Sequence, residues 1–503
     1  MLSQETGCRV CGRRKARGAG RFWVGLVAVA VLTYGCAGKP SRTSGTARPA
    51  GSTADQSPLT DSAATTVPSE TSLAGESAGA TSAAGRSSRQ VAPAPGTTKV
   101  PLTATDRGVT KDSIQLAWFE VEKAERQLGA SVGMSWAATM NDPMYYVQPF
   151  VDEINEKGGI NGRKVVPHLV EYQTMSFDNM QAACVSAAED LKVFAAISGV
   201  GLWGQGEVCL ANKQIPTITY NSGSSDQLYQ QEKGWVRQTV MNKDRVVKNL
   251  ADWLVDSKLV NAKTRIGVPY LDTPEYKQIV EKVLLPYLKS KGLNVAQTAV
   301  MSNNYERTPT EAAAAVMRFK SSNIEFVFPI LTWWETYHFL SCAQSQNYKP
   351  IYTTSDLGEL AKDPAASIFP AEQWDHTRGI TAIRTGELAA GKQKTAQQKE
   401  CEAVFISHGG AIESDSDRDY TWIVCEHMHL FTRAATLAGP NLTRERYLAA
   451  LDTLGSYNDR VAISDTLTFA KGKWDAANRF AAIEWHQECK CYHQTEGFRS
   501  GRW

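Results

Sequence analysis

Three glycines, Gly199, Gly201 and Gly204, stand in G-x-G-x-x-G spacing within "FAAISGVGLWGQGEVC", after an apolar run and before a helix-like stretch. That spacing suits a turn whose backbone closes on a pyrophosphate at a helix N-terminus. A nucleotide-binding unit, however, carries the turn after its first strand and an acid at the end of the next. Here the turn follows the third strand-like run, and the next run ends in Tyr220-Asn221, which offers no carboxylate to a ribose. The glycines therefore read as a ligand-facing loop, with no nucleotide or other cofactor expected.

Two further clusters invite a metal reading. "HQECKCYH" crowds His486, Cys489, Cys491 and His493 together. On one continuous strand the two cysteines and His493 share a face while His486 points away, and the spacing departs from that of structural zinc sites. A disulfide or structural role is expected, and no metal. Asp415, Asp417, Asp419 and Glu426 lie at the offsets of a calcium-binding loop, but Tyr420 stands where that loop needs glycine. Acids at the start of a helix explain the run better. The chain has no H-E-x-x-H and no convincing nucleophile–base arrangement, so catalysis is not expected.

The elements that must position these residues alternate along the chain. "SIQLAW", "KVVPHLVEY", "FAAIS" and "IPTIT" read as strands, separated by helical stretches such as "DPMYYVQPFVDEINEKGG" and "NMQAACVSAAEDL". The pattern restarts with "TRIGVPY", "LNVAQTAV", "IEFVFPI" and "PIYTTS" as strands. Such alternation predicts an α/β protein with parallel sheets covered by helices, in two successive units.

Open α/β sheets bind ligands beyond the carboxyl ends of their strands. The residues there are Trp118 and Phe119, then Gly201, Leu202 and Trp203, then Tyr220, Asn221 and Ser222. The second unit adds Tyr270, Asp272 and Thr273, then Thr332 and Trp333, and finally Asp356. Recurring aromatics would wall a cleft, with hydroxyls and carboxylates orienting a small ligand.

The formal net charge of +2 gives no reason to expect nucleic acid as a partner. Residues 1–36 combine a basic start with the apolar run "FWVGLVAVAVLTYG", the layout of an export signal and shorter than a membrane span. "LTYGC" resembles a bacterial lipoprotein box, which implies lipidation of Cys36. Residues 37–105 are Ser, Thr, Ala, Gly and Pro with almost no large apolar side chain, the composition of a disordered tether. As a flexible coil it would span roughly 45 Å.

"PFVDEINEKGGINGRKVVPHLVEY", "KVFAAISGVG" and "KQIPTITYNS" together resemble the type I periplasmic-binding family, which includes the branched-chain amino acid-binding proteins of ABC importers. The resemblance runs from Val109 to the C-terminus and implies two Rossmann-like lobes joined by a multi-crossover hinge. Lobe 1 would take 106–240 with approximately 378–463 returning to it, and lobe 2 would take 241–377 with approximately 464–503. It also implies an extracytoplasmic solute-binding protein that delivers an amino-acid-like or other amphipathic ligand to ABC permease subunits. A sensor of the same fold, docking on a signalling partner, is the alternative. Leu202, Trp203 and the long charged loop "FEVEKAERQLGASVGMSWAATMN" depart from the family pattern and leave the ligand open.

Cys184 and Cys209 fall on neighbouring helices of lobe 1, and an oxidising compartment favours a bridge between them. Cys401 and Cys425 form a second candidate pair. Cys342, Cys489 and Cys491 remain unassigned.

Overall fold

The computed structural model describes residues 101–131, 133, 142–174, 176–199, 204–220, 223–458 and 460–502. The leader, Cys36 and the tether as far as residue 100 lie outside the described residues, as do Gly201, Leu202, Trp203, Asn221 and Ser222.

Five parallel strands build the first sheet: β1 (Ser113–Val121), β2 (Lys164–Tyr172), β3 (Ala195–Ser198), β4 (Thr217–Thr219) and β5 (Val236–Gln238). Their spatial order is β2-β1-β3-β4-β5, so the order reverses between β1 and β3. The second sheet contains β6 (Arg265–Leu271), β7 (Asn294–Met301), β8 (Phe326–Val327), β9 (Ile351–Thr354) and β10 (Arg378–Thr381). A ribbon of β11 (Gly455–Tyr457) and β12 (Leu467–Phe469) precedes β13 (Arg479–His486) and β14 (Cys491–Ser500). The last two strands join the second sheet antiparallel, giving the order β14-β13-β10-β9-β8-β6-β7. The fold is the two-lobed α/β arrangement that the alternation predicts.

Local chemistry starts the helices where the sequence signals them. Asp142 accepts from the Met144 amide at 3.0 Å ahead of Pro143, which opens helix Pro143–Glu156. Thr395 and Gln398 form a reciprocal capping box on helix Ala396–Ser407. Each such cap satisfies amides that the first helical turn leaves without partners.

The return to lobe 1 is shifted from its expected bounds. Arg378–Thr381 is a strand of the second sheet, parallel to β9, and the chain crosses back only at Ile383. Helices Ala396–Ser407, Asp415–Ala438 and Arg444–Asp452 then bury their apolar sides with Leu116, Trp118 and Phe150 on one face of the first sheet. Ala476 still belongs to that core, and Ala477 onward belongs to the core of lobe 2. The physical reason lies in Gly379: a Cβ there would meet the Thr354 carbonyl oxygen at 1.8 Å, so a short glycine-bearing run pairs closely with β9. A run of four residues carries too little periodicity to be told from a turn.

Two bridges pin the lobe 1 helices, Cys184–Cys209 and Cys401–Cys425. A third joins Cys489 to Cys491 in the turn between β13 and β14, and Cys342 keeps a buried thiol that donates to the Pro309 carbonyl at 3.8 Å. Among the described residues no helix is long and apolar enough to cross a membrane.

Candidate functional site

A cavity of about 370 Å³ opens between the lobes. Lobe 1 contributes Tyr220 just after β4 and the first nine residues of helix Asp415–Ala438, with Arg418, Asp419, Tyr420, Trp422 and Ile423. Lobe 2 contributes Glu359, Lys362 and Asp363, together with the Cys489–Cys491 turn. The crossover segments Ile383–Ala389 and Ile463 close the back. Both lobes and the hinge thus meet at one volume, the requirement for a ligand that couples to lobe closure.

Each wall has a chemical role. Tyr220 lies under the Lys362 ammonium, 4.5 Å from its ring centroid, and packs edge-on to His427. Tyr420, Trp422, Ile383, Leu388 and Ile423 supply apolar surface. Four carboxylates (Glu359, Asp363, Asp415 and Asp419) face three cations (Lys362, Arg384 and Arg418). Lys362 pairs with Glu359 at 3.1 Å, Arg384 with Glu387 at 2.8 Å, and Arg418 with Asp415 at 2.5 Å. Asp363 and Asp419 are the surplus. Asp363 accepts from the Tyr492 amide at 2.8 Å, and Asp419 stands 3.7 Å from Arg418 Nε. Burial raises the Asp363 carboxyl to about 7, with nearby acids pushing the same way, and the surrounding cleft walls raise the carboxyl of the partly accessible Asp419 in the same direction. The Asp419 side chain keeps 42% of its surface accessible, which leaves it reachable from the cavity.

The strand-end residues fare differently. Trp118 and Phe119 are adjacent on β1, point to opposite faces of a sheet covered on both sides, and are both fully buried in core. Tyr270 turns away from the cavity and its hydroxyl donates to Glu281 at 3.2 Å. Asp272 pairs with Lys277, and Thr273 caps helix Pro274–Gln278. Thr332 donates to the buried Glu335, while Trp333 packs with Ala130, Ala365 and Ile368. Asp356 accepts from Thr381 Oγ1 at 2.7 Å and from the Ala382 amide at 2.6 Å, tying β9 to the crossover. Of the described strand-end residues, Tyr220 alone lines the cavity.

The glycine turn also acquires a structural explanation. A Cβ on Gly199 would come within 2.8 Å of the Trp118 ring and 2.9 Å of the Glu120 carboxylate, so the glycine permits close packing of β1 against β3. The helix after the turn, Gln205–Asn212, already carries the buried Glu207 in its first turn, where a phosphate would have to sit. The charged loop after β1 contains helix Lys123–Ser131, whose Arg126 pairs with Glu171 at 2.9 Å.

Sequence reasoning missed Lys362, Asp363, Arg384, Arg418, Asp419 and Trp422. The acid-rich start "DSDRDYTW" was visible as a helix beginning, and Ser414 indeed caps it by accepting from the Asp417 amide at 3.1 Å. Its place in a cleft depends on the return crossover, which no local pattern reports. Glu426, the last member of the calcium-like run, instead accepts the amides of Ala462, Ile463 and Ser464 at 2.8–3.1 Å and anchors the returning loop.

Residues 137–485 match the family model described as periplasmic binding protein. No curated protein sequence matches the chain. Among solved structures, a fatty acid ABC transporter substrate-binding protein from Thermomonospora curvata is similar at 16% identity and a TM-score of 0.58, covering 79% of this chain and 95% of that one. A branched-chain amino acid ABC transporter protein from Thermus thermophilus with bound valine is similar at 14% identity and a TM-score of 0.55, over 77% and 97% of the two chains. A solute-binding protein from R. palustris in complex with 4-hydroxybenzoate aligns at 10% identity and a TM-score of 0.58, over 78% and 98%.

Proposed function

Because the chain belongs to the periplasmic binding protein family, we propose that it is an extracytoplasmic solute-binding protein of an ABC importer. It binds its ligand without chemical change, and ligand contacts to both lobes hold the cleft closed for docking on the permease subunits. The N-terminal signal and Cys36 anchor it by lipid to the outer face of the cytoplasmic membrane, and the residues from 37 onward serve as tether up to the docked segment in which the Thr103 carbonyl accepts from Arg163 and Thr105 donates to the Leu442 carbonyl.

The ligand class follows from one observation: the interlobe cavity joins an aromatic and aliphatic wall to two surplus carboxyls, Asp363 and Asp419. Each cation of that wall already has a carboxylate partner. A small molecule with an apolar body and an ammonium group, an amino acid or an amine, complements it. The ring of Tyr220 and the indole of Trp422 would take the apolar part. One similar structure has bound valine and another is in complex with 4-hydroxybenzoate, which supports a small solute.

Native mass spectrometry of freshly purified protein tests the reading, since a captured solute reports its own mass. Titration with valine, phenethylamine, decanoate and 4-hydroxybenzoate then ranks the classes. Binding of the ammonium compounds ahead of the two plain acids is expected. Preference for the plain acids would overturn the ligand class, and turnover of a bound compound would overturn the binding-protein reading.

A further inference from the structure

Two of the three disulfides brace the core, and the third does not. Cys184–Cys209 and Cys401–Cys425 join helices across 25 and 24 residues, and all four cysteines are buried. Cys489–Cys491 closes its loop around Lys490 alone, in the turn between β13 and β14. Cys489 is exposed, Cys491 is half-buried, and both line the interlobe cavity. A loop that short removes little freedom from the unfolded chain, so this bridge adds less to folding than the other two. Exposed disulfides are also the ones that thiols reach and open.

The hairpin places an imidazole beside the sulfurs. The antiparallel register sets Glu484 opposite His493 and His486 opposite Cys491. The expectation from the sequence, that His486 points away from His493, assumed one continuous strand. The intervening turn removes that parity and brings the two imidazoles to 4.2 Å between ring centroids. His493 Nε2 lies 3.7 Å from Cys489 Sγ, and both sulfurs and a ring nitrogen of His493 lie within 4.8 Å of one another. A protonated imidazole at that distance stabilises a thiolate and makes its sulfur a better leaving group. Cys401, Cys425 and His429 form the same kind of group, with His429 Nδ1 3.5 Å from Cys425 Sγ, but all three are buried. Solvent access separates the two.

We propose that Cys489–Cys491 is an exchangeable disulfide, a redox site on the cavity wall that takes a low-molecular-weight thiol. The incoming thiolate attacks Cys491 Sγ and forms a mixed disulfide there. The bond between the two cysteines breaks, and its electron pair leaves on Cys489 Sγ, beside His493. A second thiolate attacks the outer sulfur of the mixed disulfide, and Cys491 leaves as a thiolate in turn. The bridge thereby gains two electrons and two protons from two thiols, which depart as their own disulfide. The opened turn acts on the cavity through Tyr492. Its amide donates to Asp363 at 2.8 Å, and its hydroxyl donates to the Leu360 carbonyl at 2.6 Å. Opening the bridge loosens the strand start that holds Asp363. The consequence for solute capture rests on the function proposed above, whereas the exchange itself does not.

Treating the intact, oxidised protein with glutathione, quenching with iodoacetamide and mapping the alkylated cysteines by mass spectrometry tests the exchange. Cys489 and Cys491 should be labelled at least ~10-fold faster than the four cysteines of the buried bridges. His493→Gln, a change on the exposed hairpin, should slow that labelling ~3-fold or more. Hydrogen exchange at the Tyr492 amide should be ~10-fold faster in the reduced protein than in the oxidised one. In the variant with Cys489→Ser and Cys491→Ser, glutathione should leave that amide unchanged. Equal opening of the buried bridges, resistance of Cys489–Cys491 to glutathione, or an unaltered rate in His493→Gln would each overturn the assignment. So would unchanged protection of Tyr492 on reduction, or a response to glutathione in the serine variant.

Discussion

Tyr220 and Tyr270 occupy corresponding places in the two lobes, each a tyrosine at or just beyond the carboxyl end of a parallel strand and each almost fully buried. Their partners differ. Tyr220 faces the interlobe cavity beneath Lys362, whereas Tyr270 leans onto its own lobe and donates to Glu281. Strand termini therefore mark where a ligand wall can form, and packing against the neighbouring helices decides which side chain joins it. The same contrast separates Asp356, committed to Thr381 and Ala382, from Asp419, which stands 3.7 Å from Arg418 Nε and remains partly accessible.

This contrast can be broken or sharpened by substitution. The largest effect is expected at Trp118, an aromatic inside β1 and in the core of lobe 1. Trp118→Ala should cost ~3–5 kcal/mol in denaturant unfolding through the cavity it leaves. A stability loss below 1 kcal/mol together with lost ligand binding would return Trp118 to the cleft. Removing the Cys184–Cys209 bridge, which spans 25 residues on the other face of the same sheet, should cost ~3 kcal/mol. Comparison of melting curves for the double serine variant and the parent checks it.

The tyrosine pair gives the direct test. Tyr220→Ala should lower affinity for the ammonium ligand by ~10- to 100-fold, consistent with ~1.4–2.7 kcal/mol of lost contact. Tyr270→Ala should lower Tm while affinity stays within ~3-fold. Equal affinity losses in both variants would erase the distinction.

Acidity sharpens the comparison of carboxyls. Burial raises the Asp363 carboxyl to about 7 and the cleft walls raise Asp419 in the same direction, so the cleft loses negative charge as pH falls from 8 to 6. Affinity for an amine should therefore fall as pH drops through 7, by about tenfold between pH 8 and pH 6. Asp419→Asn should flatten that profile, and an unchanged slope would exclude Asp419 as the partner. The smallest effect is expected at Asp272, whose half-exposed pair with Lys277 is screened by water. Asp272→Ala should change stability by less than ~0.5 kcal/mol and leave binding as it was.

Most of the architecture was legible in the sequence, because alternating strand and helix runs record burial on two faces of a parallel sheet. Trp118 and Phe119 illustrate the limit. Read as ending the strand they look like a ligand wall, whereas β1 runs on to Val121 and alternation across a doubly covered sheet sends both into core. The cavity's charged residues were hidden for a different reason. Arg384, Arg418 and Asp419 come from the crossover and the returning helix, more than 160 residues beyond Tyr220 along the chain.

By itself, the sequence determined the α/β class, the helical stretch that opens at Asp142, and the absence of an acid where a nucleotide would need one. These properties are local: they depend on residue type and on spacing within a few turns or one strand. Tertiary structure decided which strand-end aromatic sees the cleft, where the chain crosses between lobes, and that the turn after β13 places His486 beside His493. Those outcomes depend on register and on long-range packing, which couple residues that no local period connects.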